Sequence, residues 1–96
     1  MKPFLLKLFP PRPTFHLDMT GAEREVMMRH SAFWRELLEK GIAVAFGPVI
    51  EPNTPWGVAL FYAEDDAAAQ ALAAEDPAYK AGMQIEIYPM AALVHK

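Results

Sequence analysis

IAVAFGPVIEPNTPWGVALFYAE, residues 42–64, puts two strands back to back in the middle of the chain. Its first part alternates larger Ile42, Val44 and Phe46 with smaller Ala43, Ala45 and Gly47, a period of two that predicts a strand. EPNTP follows, and its Pro and Asn residues restrict the backbone to turn geometries. WGVALFYAE is then a second strand with Trp56, Val58, Leu60 and Tyr62 on one face. The two strands pair as a hairpin, and the elements on either side of it decide the fold.

Upstream, Val26, His30, Phe33 and Leu37 follow the spacing of one helical face, widened by Met27, Trp34 and Leu38. Thr20 and Glu23 have the spacing of a capping box and Gly41 is the stop, so a helix runs from about Gly21 to Lys40. Before it, PFLLKLF (Pro3–Phe9) is a short apolar strand ended by PPRP, whose prolines cannot donate ladder hydrogen bonds. TFHLDM is read as a loop. Downstream, Asp65 or Asp66 caps a thin alanine-rich helix, DAAAQALAAE. In DPAYKAG, Asp76 is an N-cap, Pro77 opens one helical turn and Gly82 ends it. MQIEIYPMAALV is a last strand with Met83, Ile85 and Ile87 on one face and Gln84, Glu86 and Tyr88 on the other.

The order β-α-β-β-α-β, with right-handed crossovers, closes as a four-stranded antiparallel sheet with both helices on one face, the ferredoxin-like α+β arrangement. The whole chain, 1–96, is read as a single domain. Strand one offers apolar residues in both phases, Phe4, Leu6 and Leu8 against Leu5 and Phe9. The face left bare by the helices is therefore expected to stack on that of a second copy, giving a homodimer.

The chain has 96 residues and is 53% apolar, enough for one core and far from disorder. A net charge of −3 with no run of Lys or Arg gives no footprint for nucleic acid. There is no cysteine, which excludes disulfides, thiolate nucleophiles and cysteine-bound metals. In MKPFLLKLFPPRP, Lys7 interrupts a short apolar run and no small-residue cleavage site follows, so it is read as a strand rather than a secretion signal. No run reaches membrane-spanning length. The expectation is a cytoplasmic protein without a membrane partner.

His30 falls in the middle of an otherwise apolar stripe, facing the space between helix and sheet, where burial and neighbours govern how readily an imidazole takes a proton. That suits a general base. The helical pattern by itself favours the plainer reading, an imidazole bonded to a backbone carbonyl or sitting at the helix edge. Asp76, read alone, is an N-cap worth roughly 1 kcal/mol. A carboxylate beside an imidazole would also fix its tautomer and stabilise the imidazolium. No serine or cysteine nucleophile accompanies the pair in an obvious motif, so proton transfer suits it better than covalent catalysis.

RHSAFW around His30, FGP at Phe46–Pro48 and EDPAYKAG at Glu75–Gly82 resemble, in the same order, the signature of YciI-like proteins, the YCII-related domain. LFPPRPTFHLDMT resembles the longer first loop of one branch of that family. The resemblance spans essentially the whole chain and implies a ferredoxin-like protomer of a dimeric α+β barrel, similar to muconolactone isomerases and small cofactor-free monooxygenases. It also implies a His–Asp dyad in a pocket, carried here by His30 and Asp76, and it shifts the reading of His30 towards function. It supplies no reaction, since a fold is a poor guide to chemistry.

Trp34 beside Phe33 is a candidate for stacking on a planar ligand, although aromatics at helical spacing are usually core. Pro48 either walls a pocket or only ends a strand. Arg12 is a candidate anion-binding residue on a lid formed by the Pro-rich loop, the alternative being a solvated connection. His16 and Asp18 make no metal pattern and His95 lies beside the C-terminus, so no metal is expected, and no cofactor. Lys7 and Glu86, charged residues of neighbouring strands, pair across the sheet or lie at the dimer face.

Three functions fit this reading. The first is an isomerase- or lyase-type enzyme in which His30 shuttles a proton on a small anionic or carbonyl-bearing substrate, with Asp76 orienting it. The second is a non-catalytic dimeric module binding a metabolite or a protein. The third is a cofactor-independent monooxygenase-like barrel.

Overall fold

A computed structural model describes residues 1–91. The elements run β1 (Lys2–Leu8), α1 (Phe15–Asp18), α2 (Gly21–Glu39), β2 (Ala43–Val49), β3 (Trp56–Ala63), α3 (Asp66–Ala73), α4 (Pro77–Lys80) and β4 (Ile85–Pro89). The strands form one antiparallel sheet in the order β2-β3-β1-β4. The two outermost strands in sequence, β1 and β4, thus lie side by side, as the ferredoxin-like order requires.

The local signals act where the sequence places them. Thr20 and Glu23 form the reciprocal capping box of α2. Asp65 accepts from the N–H of Ala68 at the start of α3, and Asp76 accepts from that of Ala78 at the start of α4, with Pro77 in the first turn. Gly41 and Gly82 follow α2 and α4 at φ 77° and 97°, a left-handed conformation that only glycine adopts without strain.

Phe4, Leu6 and Leu8 of β1, Ala59, Phe61 and Ala63 of β3 and Ala43 of β2 face the helices and are buried. Trp34 and Leu37 of α2, Ala69 and Ala73 of α3 and Ala78 of α4 close over them as one core. Alanine at the contacts lets the thin α3 lie close to the sheet, while Trp34 fills the volume beneath α2 against Phe61, with ring centroids 5.3 Å apart. The opposite sheet face carries Leu5 paired with Leu60, Pro3 with Tyr62 and Lys7 with Val58.

Four expectations change. The loop before α2 contains the short helix α1, anchored by buried Phe15. In β2 a bulge between Ala43 and Ala45 shifts the phase, so Ala43 and Phe46 share the core side and Val44 turns out to solvent. Strict alternation cannot anticipate that extra residue. Strand β4 is shorter than expected, Ile85–Pro89, with Met83, Gln84, Met90 and Ala91 outside it; the last part of the expected strand, Ala92–Val94, lies outside the described residues, as does His95. Lys7 and Glu86 are cross-strand partners in register, yet Lys7 places its ammonium over the rings of Phe9 and Trp56 while Glu86 accepts from the hydroxyl of Tyr88. Aromatic faces next door give the lysine a partner that leaves its stem packed on the sheet. No helix among the described residues is long and apolar enough to cross a membrane.

Candidate active site

His30 and Trp34 lie one turn apart on the inner face of α2, and both reach the first residue before α4. Asp76 is fully buried there. His30 Nδ1 lies 2.9 Å from both Asp76 oxygens, the indole N–H of Trp34 donates to Oδ2 at 2.8 Å, and the backbone N–H of Ala78 donates to Oδ1 at 2.8 Å. A buried carboxylate is stable only when its lone pairs are met, and here three donors converge on it.

This arrangement fixes the imidazole. An ionised carboxylate only accepts, so Nδ1 carries the proton and, in the neutral ring, Nε2 carries the lone pair. Among the described residues Nε2 has no hydrogen-bond partner, and it is not a buried orphan. The ring is 12% exposed, towards a cavity of about 480 Å³ between the sheet and α2. The cavity is lined from α2 by Met27, His30 and Ser31, from β2 by Phe46, Gly47 and Pro48, and from the end of β1 by Leu8. Trp56 and Gly57 border it, and Pro10, Phe15, His16 and Met19 of the Pro-rich segment form a further wall. A base with its lone pair aimed into an apolar, partly closed space can take a proton from a bound molecule, and the carboxylate behind it stabilises the resulting imidazolium.

Of the candidates drawn from sequence, His30 and Asp76 are together and Pro48 lines the same cavity. Trp34 is not available to stack on a ligand, because its ring is completely buried in the core and its N–H is bonded to Asp76. Arg12 does not line the His30 cavity. Its guanidinium makes paired bonds to both oxygens of Glu23 at 2.8 Å, and further bonds to the Asp18 side chain and carbonyl at 2.9 Å. With two carboxylates already on it, it serves as a clasp between the Pro-rich segment and the start of α2 rather than as an anion receptor. The sequence does not mark His16, Phe15 or Ser31 as site residues, yet all three line the cavity. An aromatic flanked by prolines and threonine in a loop was the available signal for Phe15, whereas nothing local marks Ser31 or aims His16.

Phe15 also separates the His30 cavity from a second one of about 490 Å³, bounded by Phe9, Pro11, Glu23, Val26 and Gly82. The clasp that holds this partition is electrostatic, and its pH dependence follows from Glu23. Hydrogen bonds from Arg12, and then from the backbone N–H of Thr20, pull the Glu23 carboxyl down from 4.5 to about 2. Bonds from Thr14 and Arg12 lower Asp18 as well. A carboxyl depressed by folding stabilises the fold fully above its unfolded value and loses that contribution as pH falls through its folded value. The difference in Tm between the native protein and Arg12→Gln is therefore expected to be constant above about pH 5 and to close as pH approaches 2. A gap unchanged down to pH 2 in calorimetric scans would show that Arg12 acts by packing on Phe15, over whose ring it lies at 5.4 Å.

The fold is the ferredoxin-like α+β arrangement, with the His30–Asp76 pair between α2 and the start of α4. The YCII-related domain model matches residues 8–91, and the chain belongs to that family. Among solved structures, the chain is similar to 5-chloro-2-hydroxyhydroquinone dehydrochlorinase (TftG) from Burkholderia phenoliruptrix AC1100, determined in complex with 2,5-dihydroxybenzoquinone. The TM-score is 0.68 at 16% identity, over 90% of each chain, a likeness of fold. The comparison with curated proteins gave no match.

Proposed function

We propose that the protein is a small cofactor-independent enzyme of isomerase or lyase type. His30 takes a proton through Nε2 from a small, weakly acidic or carbonyl-bearing compound, and Asp76 holds the ring and offsets its charge. The observation that carries this reading is the Asp76 carboxylate, buried and already met by the N–H groups of Trp34 and Ala78, with His30 bonded on its cavity side. Those two donors would satisfy a purely structural Asp76. The imidazole adds a nitrogen that opens on the cavity, which a non-catalytic core does not need. The dehydrochlorinase chemistry of the similar structure, an elimination on a hydroxylated aromatic compound, supports the lyase side of the reading.

Proton abstraction is measurable before the natural substrate is known. Incubated in D2O with a panel of enolisable ketones and hydroxylated aromatics, the wild type is expected to exchange carbon-bound hydrogen for deuterium, followed by NMR, and His30→Ala to lose that catalysis. Exchange that continues undiminished in His30→Ala assigns the proton transfer elsewhere.

Two copies are proposed to stack through the sheet face opposite the helices, where Leu5, Val58, Leu60 and Tyr62 form a half-buried apolar patch. Leu60→Lys puts a charge at the centre of that patch, beside Leu5 and Ala45. Light scattering is expected to give a dimer mass for the wild type and a monomer mass for the variant; a dimeric Leu60→Lys places the contact on another surface.

A further inference from the structure

Among the described residues the His30 cavity has no lysine or arginine to neutralise an anion. Among the described residues no Lys, Arg, Asp or Glu lines it, and its ionisable side chains are the imidazoles of His30 and His16. Ser31 is the remaining polar group with a free hydroxyl, since the indole N–H of Trp56 is directed to Glu51. Arg12 of the neighbouring Pro-rich segment is held by Glu23 and Asp18, and Lys7 lies on the other face of the sheet over aromatic rings. Behind His30 stands the buried carboxylate of Asp76, a negative charge that repels a second one. An anion entering this space would lose its hydration with only two imidazoles, one of them backed by a carboxylate, and a hydroxyl in return.

From this lining we infer that the ligand of the His30 site is an uncharged, planar compound, a phenol or an enone, whose own O–H or C–H is the acid. The inference rests on the proton-transfer reading and narrows its substrate class to the neutral members. Phe15, Phe46 and the sulfurs of Met19, Met27 and Met83 supply faces and edges for a ring. His30 and Ser31, consecutive on α2, form a polar pole at one side of the cavity. When the ligand's O–H or C–H bond breaks, its proton goes to Nε2 and its electron pair stays on the ligand as phenolate or enolate. The site then holds that anion against an imidazolium backed by a carboxylate, so charge is created inside the cavity and none is carried in. An already anionic substrate would become a dianion facing one imidazolium, with Asp76 behind it. Of the substrate classes the sequence raises, this inference takes the uncharged one.

Two isosteric probes separate the cases: 4-hydroxybenzamide, uncharged near pH 6.5, and 4-hydroxybenzoate. Binding to the wild-type protein is followed by tryptophan fluorescence and localised by amide NMR shifts of Ser31 and Gly47. The amide is expected to bind at least about tenfold more tightly than the carboxylate. Met27→Arg, which places a cation one turn before His30, is expected to reverse that order; should it not fold, the wild-type ratio decides. Equal or tighter binding of 4-hydroxybenzoate to the wild type overturns the inference, as does the absence of amide binding. Benzoate binding that disappears in His16→Gln overturns it too and makes His16 the anion receptor. A preference for the amide without any deuterium exchange leaves the ligand class standing and removes the proton-transfer reading. Catalysed exchange on an anionic compound alone does the opposite.

Discussion

Asp76→Asn is expected to lower the rate of proton exchange at the site by about 10²–10⁴-fold, the range that general acid–base catalysis and correct imidazole orientation supply. The reason is geometric. One Asp76 oxygen accepts from Ala78 and the other from Trp34, with Nδ1 equidistant at 2.9 Å from both. An amide has a single acceptor oxygen. If its oxygen stays on Ala78, its NH2 meets the indole N–H donor to donor, and Nδ1 faces an NH2 donor as well as the oxygen, so the proton is no longer fixed on Nδ1. A ring that accepts from the NH2 carries its proton on Nε2 and presents a donor to the cavity where a base is required. If the amide turns over, the Ala78 N–H loses its cap instead. Either state leaves a buried donor without its partner, so stability falls by about 1–3 kcal/mol while the core still folds. His30→Ala is expected to remove as much rate as Asp76→Asn, and the double variant little more, because the two groups act as a unit. Exchange rates in D2O, measured beside circular dichroism melts of each variant, check this. An Asp76→Asn protein exchanging at the wild-type rate would restrict Asp76 to capping α4.

How much of this was legible in the sequence depends on the range of each interaction. The capping box at Thr20 and Glu23, the caps at Asp65 and Asp76 and the terminal glycines act within one turn, so their residue types state their geometry directly. The sheet order followed from those elements and the handedness of crossovers. The bulge at Val44 was not legible, because one unpaired residue leaves the composition of a strand unchanged. His30 and Asp76 are separated by 46 residues, and no spacing rule links a helix face to a distant cap. Each had a sufficient local explanation, and the family resemblance joined them. Arg12 shows the reverse failure. An arginine among prolines reads as free to bind, yet its partner Glu23 reads as a capping-box residue, and that carboxylate bonds both Thr20 and Arg12. Trp34 reads as core or stacking surface, and its N–H, the atom that reaches Asp76, has no signature beyond standing four residues after His30.

That N–H makes Trp34 the position where core and site are hardest to separate, and two substitutions separate them. Trp34→Ala empties a completely buried site beneath α2, against Phe61 and Phe33, and leaves Asp76 Oδ2 without its indole donor. Large-to-small changes of this kind cost about 3–5 kcal/mol. For a domain of this size that is a Tm loss of roughly 12 °C or more, and a large part of the total stability. Trp34→Phe retains most of the ring contact and deletes only the donor and the second ring's volume, so its expected loss is smaller, about 1–3 kcal/mol. Its effect on exchange is the informative one. With Oδ2 no longer tethered, the carboxylate can rotate about its bond to Cβ, and the imidazole it carries follows. The indole is then a positioning group whose loss is expected to slow exchange about tenfold without weakening ligand binding, the signature of misoriented rather than missing chemistry. Urea melts and deuterium exchange on the same samples give both quantities. If Trp34→Phe loses stability but exchanges as fast as the wild type, Ala78 alone suffices to aim Asp76, and the indole belongs to the core.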